Sequence, residues 1–257
     1  MWIDSHCHLD AAEFAADREQ VVAAARAAGV SRLIVPAVAV PHFAAVHEVC
    51  RRYPECRAAY GIHPLYVASA TPADLATLRQ WLVAEAALAV GEIGLDFYVP
   101  GIDRQQQEYF FVEQLQIARE LGLPVLLHVR RSVDAVLKQL RRMAVVGGIA
   151  HAFNGSRQQA DEFIKLGFKL GFGGTLTYPG SRRIRSLASE LPLDSIVLET
   201  DAPDMAPAFA PRQRNVPANL PRFAEVLAEL RGLSLADVAT ANRRNIEAVL
   251  GARALAS

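Results

Sequence analysis

The sequence predicts an α/β fold, a (β/α)₈ TIM barrel, and this prediction depends on two observations. Short apolar runs rich in β-branched residues alternate along the chain with longer helical patterns, and eight such runs can be counted. The runs are apolar on both faces, which is typical of a parallel sheet that is covered on both sides. Eight strand–helix units in a chain of 257 residues favour a closed barrel over an open sheet.

Each predicted strand is one of these apolar runs. The strands are predicted at residues 1–6, 32–38, 56–62, 88–94, 124–129, 147–153, 168–174 and 195–201. Helices are predicted at residues 17–28, 72–86, 104–121, 132–143, 156–166 and 234–250. Capping sequences support two helices, since Thr71 precedes a helix-starting proline in "TPAD" and Ser234 stands three residues before Asp237 in "SLAD". The last helix is predicted as an addition to the barrel at the C-terminus.

The pattern runs through the chain without a linker, a repeat or a low-complexity tract. Residues 1–257 are therefore expected to form a single domain. The stretch from 202 to 221 is rich in proline and arginine and is expected to be one long loop after the eighth strand. Such a loop would overhang the mouth of the barrel.

Composition limits the partners and the location that we expect. The 27 basic and 27 acidic residues balance, so no overall field draws the chain to nucleic acid or membrane, and contacts with phosphate must come from local clusters. The cysteines Cys7, Cys50 and Cys56 lack zinc-type spacing and indicate reduced, packed thiols. There is no signal-like N-terminus and no apolar run near the roughly 18 residues that a membrane span needs. We expect a cytoplasmic monomer without membrane contact.

Residues that can bind a metal follow the predicted strands at one edge of the barrel. They are His6, His8, Glu92, His128, His151 and Asp201, at the ends of five different strands. Chemistry in such barrels lies at the C-terminal ends of the strands, and His6 and His8, two residues apart, share one face of their strand. Buried carboxylates are costly unless they are paired or bind a cation. The set therefore predicts a site for zinc, manganese, magnesium or a similar divalent ion.

The number of these residues points to more than one ion. A four-coordinate catalytic ion takes about three protein ligands and keeps one position for water. Two divalent ions roughly 3.5 to 4 Å apart that share one carboxylate would use all six residues.

Several strings of the sequence resemble one family. They are "DSHCHLD" (4–10), "GIHP" (61–64), "GEIGLDF" (91–97), "QLQIARELGLPVLLHVR" (114–130), "HAFNGS" (151–156) and "LETDAP" (198–203). In this order they are similar to the TatD family of metal-dependent hydrolases, within the amidohydrolase superfamily. The strings "GGTLTYPGSRRIR" and "LETDAPDM" resemble its YjjV-like branch. The resemblance covers the chain from Trp2 to about Leu250.

The resemblance implies both the ligand assignment and the activity. One metal would be bound by His6, His8, Glu92 and Asp201, and a second by Glu92, His128 and His151. Glu92 stands where other members of the superfamily use a bridging modified lysine, so it is expected to be the shared ligand. The implied activity is hydrolysis of phosphodiester bonds by a deoxyribonuclease of the 3′–5′ exonuclease type on single-stranded DNA ends. The chain departs from the family in its loop after the eighth strand, where "RNVP" has Val216 in the place of an acidic residue.

Roles in catalysis are predicted for three residues besides metal binding. Asp201 is expected to orient and deprotonate the attacking water, and Glu92 to support both ions. His63, at the end of the third strand, is expected to reach the substrate or leaving group, or to hydrogen-bond a ligand. Asp4 and Asp10 could orient the nearby histidines or serve as turn or surface residues. The two histidines of the second helical segment, 42 and 47, are expected to be surface or packing residues.

Basic residues around the predicted mouth favour an anionic substrate. Arginine forks match phosphate oxygens, and Arg130 directly follows the strand of a predicted ligand. Asn154 and Ser156 open a helix whose N-terminus could receive a phosphate. These three residues are the predicted substrate contacts. Further arginines near the mouth are found at positions 131, 182, 183, 185, 212 and 214.

Three alternatives stay open at the level of sequence: two other functions and one other substrate. The same metal-activated water could attack a carbonyl, so a deacylase or amidohydrolase acting on an ester or amide, for example an aminoacyl-RNA, is an alternative. A small phosphoester could also replace the DNA strand as substrate. A non-catalytic barrel that binds metal or nucleic acid as an interaction module is the third possibility.

Overall fold

Eight parallel strands form the inner layer of the protein in a computed structural model, which describes residues 1–255. The strands are β1 (Trp2–Asp4), β2 (Val30–Pro36), β3 (Cys56–Ala59), β4 (Val90–Asp96), β5 (Val125–Arg130), β6 (Gly148–Ala150), β7 (Phe168–Phe172) and β8 (Ile196–Leu198). They pair in chain order as one sheet from β1 to β3 and another from β4 to β8. Each strand overlaps one of the predicted runs.

Backbone contacts at two places join these sheets into a barrel. Between β3 and β4, Tyr60 forms a parallel bridge with Val90, and the N–H of Gly91 donates to the carbonyl of Tyr60 at 2.9 Å. Between β8 and β1, the N–H of Ser5 donates to the carbonyl of Leu198 at 3.1 Å. The predicted (β/α)₈ TIM barrel is confirmed.

A helix follows each strand and lies outside the barrel, and one more helix ends the chain. They are α1 (Arg18–Ala27), α2 (Phe43–Arg52), α3 (Pro72–Ala84), α4 (Arg104–Leu121), α5 (Val133–Arg142), α6 (Arg157–Lys165), α7 (Arg182–Glu190), α8 (Leu220–Arg231) and α9 (Leu235–Leu250). The helices predicted from the sequence agree with α1, α3, α4, α5, α6 and α9 to within two residues at each end. Among the described residues, no helix combines the length and apolar character needed to cross a bilayer.

Helix α8 begins inside the stretch that was expected to be loop. Prolines at 217 and 221 suggested continued loop, but Pro221 occupies the start of α8, where a missing N–H costs nothing. Helix α7 contains the arginines at positions 182, 183 and 185, which the sequence placed after the seventh strand. The prediction that the loop extends to residue 221 was therefore wrong by two residues, since α8 begins at Leu220.

Helix α9 covers the end of the barrel that lies away from the strand C-termini. Its Ile246 and Leu250 are buried against Ile3, Leu126 and Ile149 inside the barrel. Each of these three strand residues precedes a predicted metal ligand of the same chain segment by two or three positions. The apolar contacts therefore fill one end of the interior and leave the polar residues together at the other end.

Candidate metal centre

Glu92 lies at the middle of a cluster of histidines at the C-terminal end of the barrel. It is 2% exposed and points inward from β4. Its Oε2 lies 3.2 Å from Nε2 of His6 and 3.5 Å from Nε2 of His8. Its Oε1 lies 2.8 Å from Nε2 of His151 and 3.1 Å from Nδ1 of His128. The two carboxylate oxygens thus face two different pairs of imidazoles.

Asp201 completes the half of the cluster around Oε2. Its Oδ1 lies 3.6 Å from Nε2 of His6 and 3.7 Å from Nε2 of His8. The residue has a left-handed backbone with φ of 56°, and its N–H donates to the carbonyl of His6 at 2.8 Å. A non-glycine residue in this conformation is disfavoured, and such residues concentrate at functional sites. The loop after β8 thus directs this carboxylate toward the two histidines that follow β1.

The donor set fits divalent cations. Three groups of side chains have ligand atoms within 4.8 Å of one another. They are His6 with Glu92 and His151, His6 with His8 and Asp201, and His63 with Glu92 and His128. Imidazole nitrogens and carboxylate oxygens at these distances form a site suited to zinc, manganese or a similar ion. The structure thus brings together all six residues that the sequence predicted as ligands.

The Glu92 carboxylate and the histidines around it shift one another's pKa values. Burial by itself would raise the pKa of the Glu92 carboxyl, but nearby histidines outweigh it and hold that pKa well below its usual range. Burial likewise opposes the charge of His151 and His8, but the Glu92 carboxylate raises the pKa of His151 to about 10 and that of His8 to about 9. Burial lowers the pKa of His6 to about 3, so this ring is neutral. A cation bound at the cluster would replace these protons.

Acidic groups around the cluster are also perturbed by burial. Burial raises the pKa of Asp201 above its usual range, that of Glu199 to about 8 and that of Asp4 to about 7. A raised pKa means that these carboxyl groups keep their protons to a higher pH than usual, and a cation bound nearby would favour their charged form.

Two acidic residues contact the predicted ligands and were missed in the sequence. Asp96 ends β4, four residues beyond Glu92, and its Oδ2 accepts a hydrogen bond from Nε2 of His128 at 2.9 Å. Glu199 is buried, accepts a hydrogen bond from the N–H of Ala152 and lies 3.9 Å from Nδ1 of His151. Both residues are part of strings quoted above, "GEIGLDF" and "LETDAP". Asp96 stands four positions from Glu92 within β4, the even spacing that places strand side chains on one face. Glu199 directly follows β8, and its position at the end of a strand was the available signal.

Asp4 lies under the cluster and links β1 to the segment after β8. Its Oδ1 accepts hydrogen bonds from the N–H of His6 at 3.2 Å and of Thr200 at 2.9 Å, and its Oδ2 accepts from the hydroxyl of Thr200 at 2.5 Å. It therefore fixes the backbone that carries the first histidine. Asp10 is partly buried, and its Oδ1 has no hydrogen-bond partner among the described residues.

His63 lies inside the cluster, closer than the sequence suggested. Its Nε2 is 3.5 Å from Oε1 of Glu92, and its Nδ1 accepts a hydrogen bond from the N–H of Leu65 at 3.2 Å. Because Nδ1 accepts, the proton of the neutral ring is on Nε2. Burial lowers the pKa of His63, which favours this neutral form. The ring thus presents a hydrogen-bond donor to the site.

The three predicted substrate contacts differ in the partners of their side chains. Arg130 is exposed, with its guanidinium 3.8 Å from the centre of the Tyr98 ring. Asn154 accepts a hydrogen bond from Arg183 at 2.6 Å. Ser156 caps α6, since its hydroxyl accepts from the N–H of Gln159 at 3.2 Å. All three residues are exposed, and among the described residues Arg130 forms no ion pair with a carboxylate.

Several other residues that the sequence placed near the mouth or on helices contact neighbouring residues of the fold. Arg214 donates to Asp17 at 2.6 Å, and Arg185 donates to the carbonyl of Leu176 at 2.9 Å. Nδ1 of His47, on α2, lies 2.8 Å from a carboxylate oxygen of Glu85. These arginines and His47 therefore serve local structure. Val216, in the loop after β8, is partly buried against the core.

The fold and the site together define the class of protein, a metal-dependent hydrolase built on a (β/α)₈ barrel. A family model described as TatD related DNase matches residues 3–251, and the chain belongs to this family. It is 40% identical over 247 residues to the metal-dependent hydrolase YjjV of Escherichia coli, with 95% of each chain covered. It is 37% identical over 236 residues to a 3′–5′ ssDNA/RNA exonuclease TatD of a Pantoea species, with 88% of this chain and 90% of the relative covered.

A solved structure agrees with these relationships. The crystal structure of E. coli YjjV, a TatD homologue, superposes with a TM-score of 0.93 at 39% identity, covering 96% of this chain and 97% of that chain. The resemblance found in the sequence is confirmed.

Proposed function

We propose that the protein is a metal-dependent deoxyribonuclease that hydrolyses phosphodiester bonds at the ends of single-stranded DNA, with 3′–5′ exonuclease polarity. The observation that carries the proposal is the division of the Glu92 oxygens between two pairs of histidines, next to an exposed arginine at the mouth. The name of the Pantoea relative, an exonuclease that acts on single-stranded DNA and RNA, supports this choice of substrate.

The proposed centre binds two divalent cations. His6, His8, Glu92 and Asp201 would hold one, and Glu92, His128 and His151 the other, with one oxygen of Glu92 facing each set. Bound cations of this kind lower the pKa of water and neutralise charge that develops on a phosphoryl group. Magnesium, manganese and zinc are all compatible with nitrogen and oxygen donors.

Asp201 and His63 are the proposed acid–base groups. Asp201 is 13% exposed, whereas Glu92 is 2% exposed, so Asp201 reaches closest to the mouth among the carboxylates of the centre. It would accept the proton of the attacking water. The Nε2–H of His63 would donate a hydrogen bond to the phosphate or to the leaving oxygen.

The mouth also favours an anion over a neutral ester or amide. Arg130 follows His128 by two positions on β5, so its side chain leaves the strand on the same side as that of His128. An exposed guanidinium next to the cluster attracts phosphate and has no partner in a neutral substrate.

That the chain acts as a cytoplasmic monomer stays a prediction from the sequence.

The proposal can be tested with metal-free protein. Magnesium, manganese or zinc is added back in turn, and cleavage of single-stranded DNA labelled at either end is followed for the wild type, for Glu92→Ala and for the control Glu225→Ala. Glu225 is exposed on α8, far from the cluster in sequence. We expect metal-dependent shortening from the 3′ end in the wild type and the control, and none in Glu92→Ala.

Other results would replace parts of the proposal. Shortening from the 5′ end would reverse the polarity. Metal binding without cleavage of any oligonucleotide would reject the nuclease and lead to ester and amide substrates, including aminoacyl-RNA. Equal activity of Glu92→Ala and the wild type would reject the metal centre itself.

A further inference from the structure

Two arginines stack on one exposed tyrosine at the mouth of the barrel. The guanidinium carbon of Arg130 lies 3.8 Å from the centre of the Tyr98 ring, and that of Arg131 lies 4.7 Å from it. Tyr98 is 48% exposed, and both arginines are exposed. Guanidinium groups within about 6 Å of a ring are attracted by its π-electrons. We name these three residues the arginine–tyrosine stack.

The stack is connected to the metal centre by a short chain of hydrogen bonds. Oδ1 of Asp96 accepts from the N–H of Tyr98 at 2.8 Å, and Oδ2 of Asp96 accepts from His128 at 2.9 Å. The carbonyl of Arg130 accepts from the N–H of Phe97 at 2.9 Å, next to the tyrosine. The ring and the first guanidinium therefore have positions fixed relative to the cluster.

Arg131 has a backbone conformation that is disfavoured for residues other than glycine. Its φ is 55°, in the left-handed region that favours glycine. In this conformation the chain turns sharply after β5, and two consecutive arginines both reach the same ring, although neighbouring side chains of a regular strand point to opposite faces. Disfavoured conformations of this kind concentrate at functional sites.

The guanidinium groups of the stack have no carboxylate partner among residues 1–255. Three other arginines near the mouth do have polar partners: Arg183 donates to Asn154, Arg185 to the carbonyl of Leu176, and Arg214 to Asp17. Ring stacking orients Arg130 and Arg131 without using their N–H groups, so the donor edges of two cations remain for a ligand. Two such cations side by side match an anion with several oxygens, and phosphate has this geometry.

We propose that the arginine–tyrosine stack binds the phosphate next to the scissile one, so that the enzyme distinguishes a strand with several phosphates from a single phosphodiester. The inference rests on the proposed nuclease function. While the scissile phosphate occupies the Glu92 cluster, the neighbouring phosphate of the same strand lies against Arg130 and Arg131. Tyr98 fixes the two guanidinium planes and offers its remaining exposed surface to a base.

The test compares two substrates of different length. Values of kcat/KM are measured with a thymidine oligonucleotide and with bis(p-nitrophenyl) phosphate, which has one phosphodiester only. The variants are Arg131→Gly, Tyr98→Ala and Tyr98→Phe, with Arg244→Ala as control on the exposed side of α9. Glycine at 131 accepts the left-handed backbone, so the fold is preserved while the guanidinium is lost.

We expect Arg131→Gly and Tyr98→Ala to lose about tenfold more activity on the oligonucleotide than on the small diester, as the loss of one charge-assisted phosphate contact predicts. Most of this change should be in KM. The control Arg244→Ala should behave as the wild type, and Tyr98→Phe, which keeps the ring, should lose less activity on the oligonucleotide than Tyr98→Ala. Equal losses on both substrates, or no loss in either, would overturn the inference.

A binding experiment separates this inference from the proposed function. If the wild type cuts the small diester and leaves the oligonucleotide intact, the nuclease proposal fails. Fluorescence anisotropy with a labelled phosphorothioate oligonucleotide then decides the role of the stack. Weaker binding by Arg131→Gly than by Arg244→Ala supports the phosphate subsite, and equal binding rejects it.

Discussion

Asp96 accepts a hydrogen bond from Nε2 of His128 at 2.9 Å, and this contact leaves Nδ1 of the same ring 3.1 Å from Glu92. Burial opposes the charge of Asp96, but hydrogen bonds from His128, Tyr98 and Val99 lower its pKa to about 2, so the carboxylate acts as an acceptor. Nε2 therefore carries a proton, and Nδ1 faces Glu92. Burial opposes the charge of the His128 ring, but its hydrogen bonds with Asp96 and Glu92 raise the pKa of His128. A cation bound at the cluster would take the place of the proton on Nδ1. A buried carboxylate that orients a histidine in this way is common around metal ligands.

We predict that Asp96→Asn weakens metal binding by about 10- to 100-fold, because the His128 ring loses the charged partner that fixes its orientation. Metal affinity is measured by titrating manganese or zinc into metal-free protein. Asp161→Asn, on the outer face of α6, is the control and should bind as the wild type. Unchanged affinity in Asp96→Asn would show that His128 does not depend on this contact.

Gly171→Ala is predicted to disturb the centre from β7. A Cβ at position 171 would lie 2.1 Å from Oε2 of Glu199, so the buried carboxylate would have to move away from His151. Overpacking of this kind costs about 1–3 kcal/mol of the free energy of unfolding. Gly180→Ala is the matched control, since a Cβ there meets no atom within 4 Å. Activity and melting temperature are measured for both.

A second substitution identifies the cause of any loss of stability in Gly171→Ala. Shortening Glu199 to alanine removes the clash, so the double variant Gly171→Ala with Glu199→Ala should recover stability relative to Gly171→Ala alone. If the double variant is less stable than the single one, the damage comes from the backbone of β7 and the prediction is wrong.

Removal of metal is predicted to lower the thermal stability of the whole protein. The cluster buries several carboxyl groups whose charge a cation would compensate, and an ion that binds only the folded state at 100 times its Kd stabilises it by about 2.7 kcal/mol. For a chain of this size, that corresponds to a shift of the melting temperature of roughly 5–10 °C. Differential scanning calorimetry with and without a chelator measures the shift. Equal melting temperatures would contradict a bound cation.

His63→Ala is predicted to lower kcat by about 100-fold or more while the metal content stays at the wild-type level, because the residue offers an N–H donor to the reacting phosphate. Elemental analysis and single-turnover kinetics separate the two properties. His47→Ala, which loses a partly exposed contact with Glu85 away from the cluster, should leave both unchanged. Loss of metal in His63→Ala would instead make His63 a ligand, as its position beside Glu92 and His128 permits.

Much of this protein could be read from its sequence because the signals are local. Apolar runs of strand length gave the barrel, and the position of a residue at the end of such a run placed it at the catalytic edge. For that reason the six predicted ligands, including His6 and Glu92, are found together in the structure. Helix α8 was partly missed, since Pro221 has the same local signal in a loop as in the first turn of a helix.

Contacts between distant segments were decided only by the tertiary structure. The sequence placed both Arg130 and Arg214 near the mouth and chose Arg130 as a substrate contact, but it did not show their partners: Arg214 is paired with Asp17 of the first βα loop, and Arg130 stacks on Tyr98. The contact of Asp96 with His128 depends on the register in which β4 pairs with β5, because that register brings the carboxylate next to the imidazole. Residue type and strand period are properties of the chain, whereas partners depend on how the strands are rotated and aligned in the closed barrel.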